Sequence, residues 1–138
     1  MKLTQEIIDQ IQEAMLHTKK DGTVNWKDTD EIVVQLAGTF AADRFIVIKN
    51  TLIEAAKVAK LELLKVDTHK FQPYGVTGYA LLAESHMSIH TWPEDDIVRC
   101  DLFSCNPKTD YKSVIQYMQT RFHSMEVKRW GCDRSNWL

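Results

Sequence analysis

VTGYALLAESHMSIHTWPEDDIVRCDLFSC, residues 76–105, contains three runs of strand character with short connections between them. Val76–Ala83, Met87–Thr91 and Ile97–Phe103 are rich in β-branched, aliphatic and aromatic residues, and turn-forming or polar residues bound them. Parallel neighbours need a crossover of about a dozen residues or more, so these connections favour antiparallel pairing. Upstream, Ile32–Leu36 reads as another strand, ended by Gly38. Asp43 is placed to cap a helix running to about Lys60, because Phe45, Ile48, Leu52, Ala56 and Ala59 fall on one stripe. Leu61–Thr68 reads as extended, followed by a turn at Pro73-Tyr74-Gly75. Downstream, Tyr111–Phe122 reads as a helix with Val114, Met118 and Phe122 inward, and Met125–Trp130 alternates as a closing strand.

Residues 4–17 carry Ile7, Ile8, Ile11 and Met15 at helical spacing, and the polar segment 17–30, with Asp21-Gly22, reads as loop. The expected organisation is an N-terminal helical extension and linker over residues 1–30 and one domain over 31–138. The expected fold class is α+β, a two-layer, mainly antiparallel sheet with helices packed on one face.

At 138 residues the chain is long enough to bury roughly two-thirds of its unfolded surface. The balance of 17 basic and 19 acidic residues, with no basic stripe, argues against nucleic acid or an anionic membrane as partner. Apolar runs are too short to span a bilayer, and the N-terminus lacks a secretory pattern. Cys100, Cys105 and Cys132 are odd in number, which argues against a disulfide framework and for a reducing, cytoplasmic setting.

Residues 84–94 gather two serines, two histidines, a tryptophan and two carboxylates, poor material for a core and good material for a reactive site. A lone Ser-His pair on a strand is usually structural, and His86, Ser88 and His90 share a face that could be a hydrogen-bonded polar surface. His86, His90, Cys100 and Cys105 do not have the spacing of a compact zinc site, so no metal is expected. Cys100 and Cys132 read as small buried hydrophobes.

Three segments together carry a resemblance: His69-Lys70-Phe71-Gln72-Pro73-Tyr74-Gly75-Val76-Thr77-Gly78, the stretch Glu84–Glu94, and Asp101-Leu102-Phe103-Ser104-Cys105. From Thr68 to Cys105 the chain resembles the self-cleavage and active-site segment of the bacterial S-adenosylmethionine decarboxylases, pyruvoyl-dependent enzymes made as proenzymes. The resemblance implies cleavage between Glu84 and Ser85 into pieces 1–84 and 85–138. Ser85 would become the pyruvoyl group, whose carbonyl forms a Schiff base with the substrate amine and accepts electron density on decarboxylation. It implies that His90 and, in place of the family's usual serine, Thr77 serve processing, and that Cys105 is the proton donor. It also implies that Phe71 and Trp92 sandwich the adenine of S-adenosylmethionine, that Glu94 holds the ribose, and that identical subunits pair sheet to sheet in a dimer. The product would be the aminopropyl donor for spermidine synthesis.

The N-terminal third departs from the family pattern, since residues 1–30 precede the first strand, which reads Val34-Gln35-Leu36-Ala37-Gly38-Thr39-Phe40. Two alternatives stay open: a pyruvoyl-dependent decarboxylase of ornithine or arginine, and a non-catalytic ligand-binding or regulatory homologue.

Overall fold

The computed structural model describes residues 19–20, 31–37, 43–124 and 126–132. The helix expected over residues 4–17 lies outside them. The described chain forms one antiparallel sheet from β1 (Lys19–Lys20), β2 (Glu31–Ala37), β3 (Leu63–Lys70), β4 (Val76–Leu82), β5 (Ser85–Trp92), β6 (Ile97–Ser104) and β7 (Glu126–Cys132). The strand order is β1-β7-β2-β6-β5-β4-β3. Helices α1 (Phe45–Val58) and α2 (Tyr111–Arg121) cover one face, in agreement with the expected two-layer α+β class.

Alternation decides which face each strand residue serves. On β2, β4 and β6 the buried members are Ile32, Val34 and Leu36, then Val76, Gly78, Ala80 and Leu82, then Val98, Cys100, Leu102 and Ser104. Their partners across the pleat lie on a face that no described element covers, where Tyr79 and Leu81 are more than two-fifths exposed.

Helix α1 buries Ile48, Thr51, Leu52, Ala55 and Ala56, with Ala59 following. The buried Thr51 hydroxyl donates back to the Val47 carbonyl at 2.6 Å, so it costs the core no unpaired polar group. Gly78 lets this helix lie close on β4, since a Cβ there would stand 2.9 Å from Leu52 Cδ1. The helix closes through Lys60 in the left-handed region (φ 64), with the Leu61 N–H donating to the Ala56 carbonyl. Helix α2 begins at a true side-chain cap, the Asp110 carboxylate accepting from the Ser113 N–H at 3.1 Å.

Three local expectations are corrected. Asp43 does not cap α1; Arg44 occupies that place without a side-chain bond, and Asp43 accepts from Lys70 and Gly75 instead. Phe45 belongs to the apolar stripe yet is 53% exposed, so the buried face of α1 starts at Ile48. Within the segment read as loop, Lys19–Lys20 pairs with Gly131 and Trp130, adding an edge strand through backbone bonds that two lysines do not advertise.

Candidate active site

Two groups of expected site residues form, at opposite ends of β5. The first surrounds a cleft of about 320 Å³ lined by Phe71, Tyr74, Gly75, Thr77, His90, Thr91, Trp92 and Glu94. Thr77 and His90 are direct cross-strand partners, and their side chains meet at 3.0 Å between Oγ1 and Nδ1. Trp92 ends β5 with its ring centroid 6.4 Å from that of His90, and Pro93–Asp95 turns Glu94 into the same cleft. The Arg99 guanidinium stands 5.7 Å over the Trp92 ring, a cation–π contact that steadies the indole. The Thr91 hydroxyl accepts the Val76 N–H at 2.8 Å, fixing the base of the 71–75 loop.

The second group lies where β4 turns into β5. Ala83 and Glu84 make the turn, Leu82 pairs with Ser85, and Ser85 pairs with Ser104. The Cys105 N–H donates to the Glu84 carbonyl oxygen at 3.1 Å. That carbonyl belongs to the peptide bond ending at Ser85, and the backbone donor withdraws electron density from its carbon. Among the described residues, the Ser85 Oγ is the buried side-chain N or O atom that lacks a hydrogen-bond partner. Buried hydroxyls are ordinarily paired, so one left without a partner next to a carbonyl that accepts a backbone N–H is available for chemistry. These residues therefore fit a serine that is converted into a carbonyl group.

Cys105 is exposed, while Cys100 is buried on the helix side, where burial first and the Asp101 charge second push its thiol up to about 12. Cys100 therefore matches its reading as a core residue. The Asn106 N–H donates to the Ser104 hydroxyl, and its Oδ1 accepts from the Lys108 N–H.

His86 and Ser88 form the polar surface that the alternation allowed. Ser88 Oγ donates to Asp101, and His86 Nε2 lies 3.9 Å from the other Asp101 oxygen. Glu31, His86 and Asp101 make a group whose ligand atoms lie within 4.8 Å of one another, a juxtaposition across three strands that spacing along the chain does not reveal. The set His86, His90, Cys100 and Cys105 is not brought together, because Cys100 faces the helices and both histidines the open side.

One chain does not unite the two groups. Ser85 shares the helix-side parity of Met87, Ile89 and Thr91, whereas His90 and Trp92 belong to the open side. Five residues of strand separate Ser85 from His90, about 16 Å at the usual rise. A serine, a polarised carbonyl and a thiol stand at one end of the sheet, and an imidazole-hydroxyl pair in an aromatic cleft at the other.

The class is defined by an antiparallel α+β domain with a buried, unpartnered serine hydroxyl at the β4–β5 turn and a separate aromatic cleft at the far end of β5. The chain belongs to the S-adenosylmethionine decarboxylase family, whose model matches residues 38–135. It is similar to the S-adenosylmethionine decarboxylase proenzyme of Prochlorococcus marinus (strain MIT 9211), at 45% identity over 86 residues, 59% of this chain and 70% of that one. The proenzyme of Synechococcus sp. (strain WH7803) is 45% identical over 78 residues, 56% of this chain and 61% of its own length. The solved adenosylmethionine decarboxylase of Aquifex aeolicus superposes with a TM-score of 0.68 at 33% identity, covering 75% of this chain and 88% of that one. The chain thus spans 50–70% of the length of the first curated relatives it matches.

Proposed function

We propose that this chain is a proenzyme that cleaves itself between Glu84 and Ser85 and then, as a homodimer, releases carbon dioxide from S-adenosylmethionine. The observation that carries the reading is the unpartnered Ser85 hydroxyl beside a Glu84 carbonyl that accepts the Cys105 N–H. In maturation the Ser85 oxygen attacks that carbonyl, and the amide bond becomes an ester as the Ser85 nitrogen takes up the hydroxyl proton. A base then removes the Ser85 α-proton, the Glu84 carboxylate leaves, and residue 85 becomes dehydroalanine. Addition of water and loss of ammonia leave a pyruvoyl terminus on residues 85–138. His90 is the base, and Thr77, bonded to it, orients the ring.

Because His90 lies about 16 Å along the strand from Ser85 of the same chain, a second copy supplies it. The uncovered sheet face, with Tyr79 and Leu81 exposed, supports a partner packed there. Each completed centre then has Ser85, Glu84 and Cys105 from one chain and Thr77, His90 and the cleft from the other.

The pyruvoyl carbonyl would supply an electron sink for the pair left on the α-carbon when carbon dioxide departs. Around it, Phe71 and Trp92 hold the adenine between their faces and Glu94 accepts hydrogen bonds from the ribose diol, consistent with their shared cleft. Cys105 returns a proton to the substrate α-carbon, which its position beside Glu84 supports. The product is an aminopropyl donor for spermidine synthesis. The decarboxylase domain is assigned to residues 31–138, with Lys19–Lys20 adding an edge strand to its sheet.

A labelled-carboxyl assay tests the substrate. Carbon dioxide is expected from S-adenosylmethionine, and preference for ornithine or arginine would refute the choice. Cys105→Ser separates catalysis from maturation. The variant keeps its backbone N–H on the Glu84 carbonyl, so it is expected to cleave itself. Its alcohol gives up a proton poorly near neutrality, and decarboxylation should fall by on the order of 10²-fold. Misplaced protonation should also convert the pyruvoyl terminus to alanine during turnover, read as a newly sequenceable N-terminus. Decarboxylation at the wild-type rate would remove Cys105 from the role and make His86 the first alternative.

A further inference from the structure

Phe71 and Tyr74 line the cleft although they are 46% and 58% exposed; the Phe71 ring meets the His69 ring edge-on at 4.6 Å, but neither side chain is held in the core, so their positions follow the backbone that carries them. That backbone is tied to a residue far away in the chain. Asp43 Oδ1 accepts the Gly75 N–H at 2.7 Å, across 32 residues, and the Lys70 ammonium at 2.8 Å, across 27. The same ammonium donates to the Phe71 carbonyl at 2.9 Å, and the Phe71 N–H donates to the Gly75 carbonyl at 2.8 Å. Both ends of the 71–75 loop therefore converge on one carboxylate oxygen. Gly75 has φ +103 and a Cβ there would meet the Thr91 carbonyl at 3.1 Å, so the loop's exit has little latitude.

We propose that Asp43 and Lys70 form a latch that sets the position of the cleft's aromatic wall, so that an ion pair outside the cleft governs affinity for an adenine nucleoside. The inference rests on the proposed reading of the cleft as the nucleoside site. Both members are positioning residues. Lys70 and Asp43 are each about two-thirds shielded from water, and the charge-assisted bonds are short, unlike a solvated surface pair. The Lys70 bond first, and then the Gly75 N–H, hold the Asp43 carboxyl below its ordinary value of 3.8, so the latch is charged throughout the neutral range. A depressed carboxyl contributes its stabilisation above the ordinary value, and the contribution is lost as pH falls through the folded value.

The test measures calorimetric binding of methylthioadenosine, which has the nucleoside but no amino acid to react, to the full chain and its variants. Asp43→Ala and Lys70→Met are expected to bind roughly tenfold more weakly than wild type, and Lys70→Arg to recover most of the loss. In turnover the same variants should raise KM with kcat little changed, while self-cleavage at Ser85 proceeds at the wild-type rate. If Asp43→Ala does not fold, Lys70→Met carries the test, because it leaves the Asp43–Gly75 bond in place. Folded variants that bind as tightly as wild type would overturn the latch and leave the substrate reading intact. A wild-type protein that binds no methylthioadenosine would overturn both.

Discussion

Ser85→Ala is expected to remain a single polypeptide through prolonged incubation and to release no carbon dioxide from S-adenosylmethionine. The loss is total because the two functions share one atom. Without Oγ no ester forms at Glu84, so nothing divides the chain and no carbonyl cofactor arises. The fold should persist, since the hydroxyl makes no hydrogen bond that alanine would remove. Denaturing electrophoresis and a thermal melt of the same sample check both halves of the expectation. A Ser85→Ala chain that still divides would place the nucleophile elsewhere.

The second large effect concerns where the base comes from. His90→Ala alone should cleave on the order of 10²–10⁴-fold more slowly. Mixed with Ser85→Ala by unfolding and refolding together, it should recover cleavage, because the mixed dimer has one centre with Ser85 from one chain and His90 from the other. Only the His90→Ala chain should be cut, which tags of different mass on the two chains will reveal. Absence of recovery in a proven mixed dimer would mean that one chain supplies both groups. That outcome would require the two ends of β5 to approach each other, against about 16 Å of extended backbone.

Much of the fold was legible because alternation is a local signal. Ile32, Val34 and Leu36, or Met87 and Ile89, announce a strand and its buried face within a few residues. Helix α2 was equally plain, with Val114, Met118 and Phe122 at helical spacing and all buried. Local rules misled at Asp43, whose type and place suit a helix cap but whose carboxylate serves Lys70 and Gly75, partners that spacing along the chain cannot reveal. They were silent at Lys19–Lys20, where pairing is by backbone and the side chains carry no hydrophobic pattern.

At the site, the residues of the cleft were legible as a set, and Phe71, Thr77, His90, Trp92 and Glu94 do meet there. The distance between that cleft and Ser85 was not, because a spacing of five says nothing about strand direction until the element is known. Arg99 was missed for a similar reason: its contact with Trp92 follows from the β5–β6 register, in which it faces His90.

The most direct test of the central claim is an intact-mass spectrum of the purified wild-type protein after incubation. Two species are expected, residues 1–84 with an ordinary carboxyl terminus and residues 85–138. The second should be lighter than a serine-headed fragment by the mass of one ammonia, and resistant to N-terminal sequencing. A single undivided chain, or a second fragment beginning in free serine, would contradict the account.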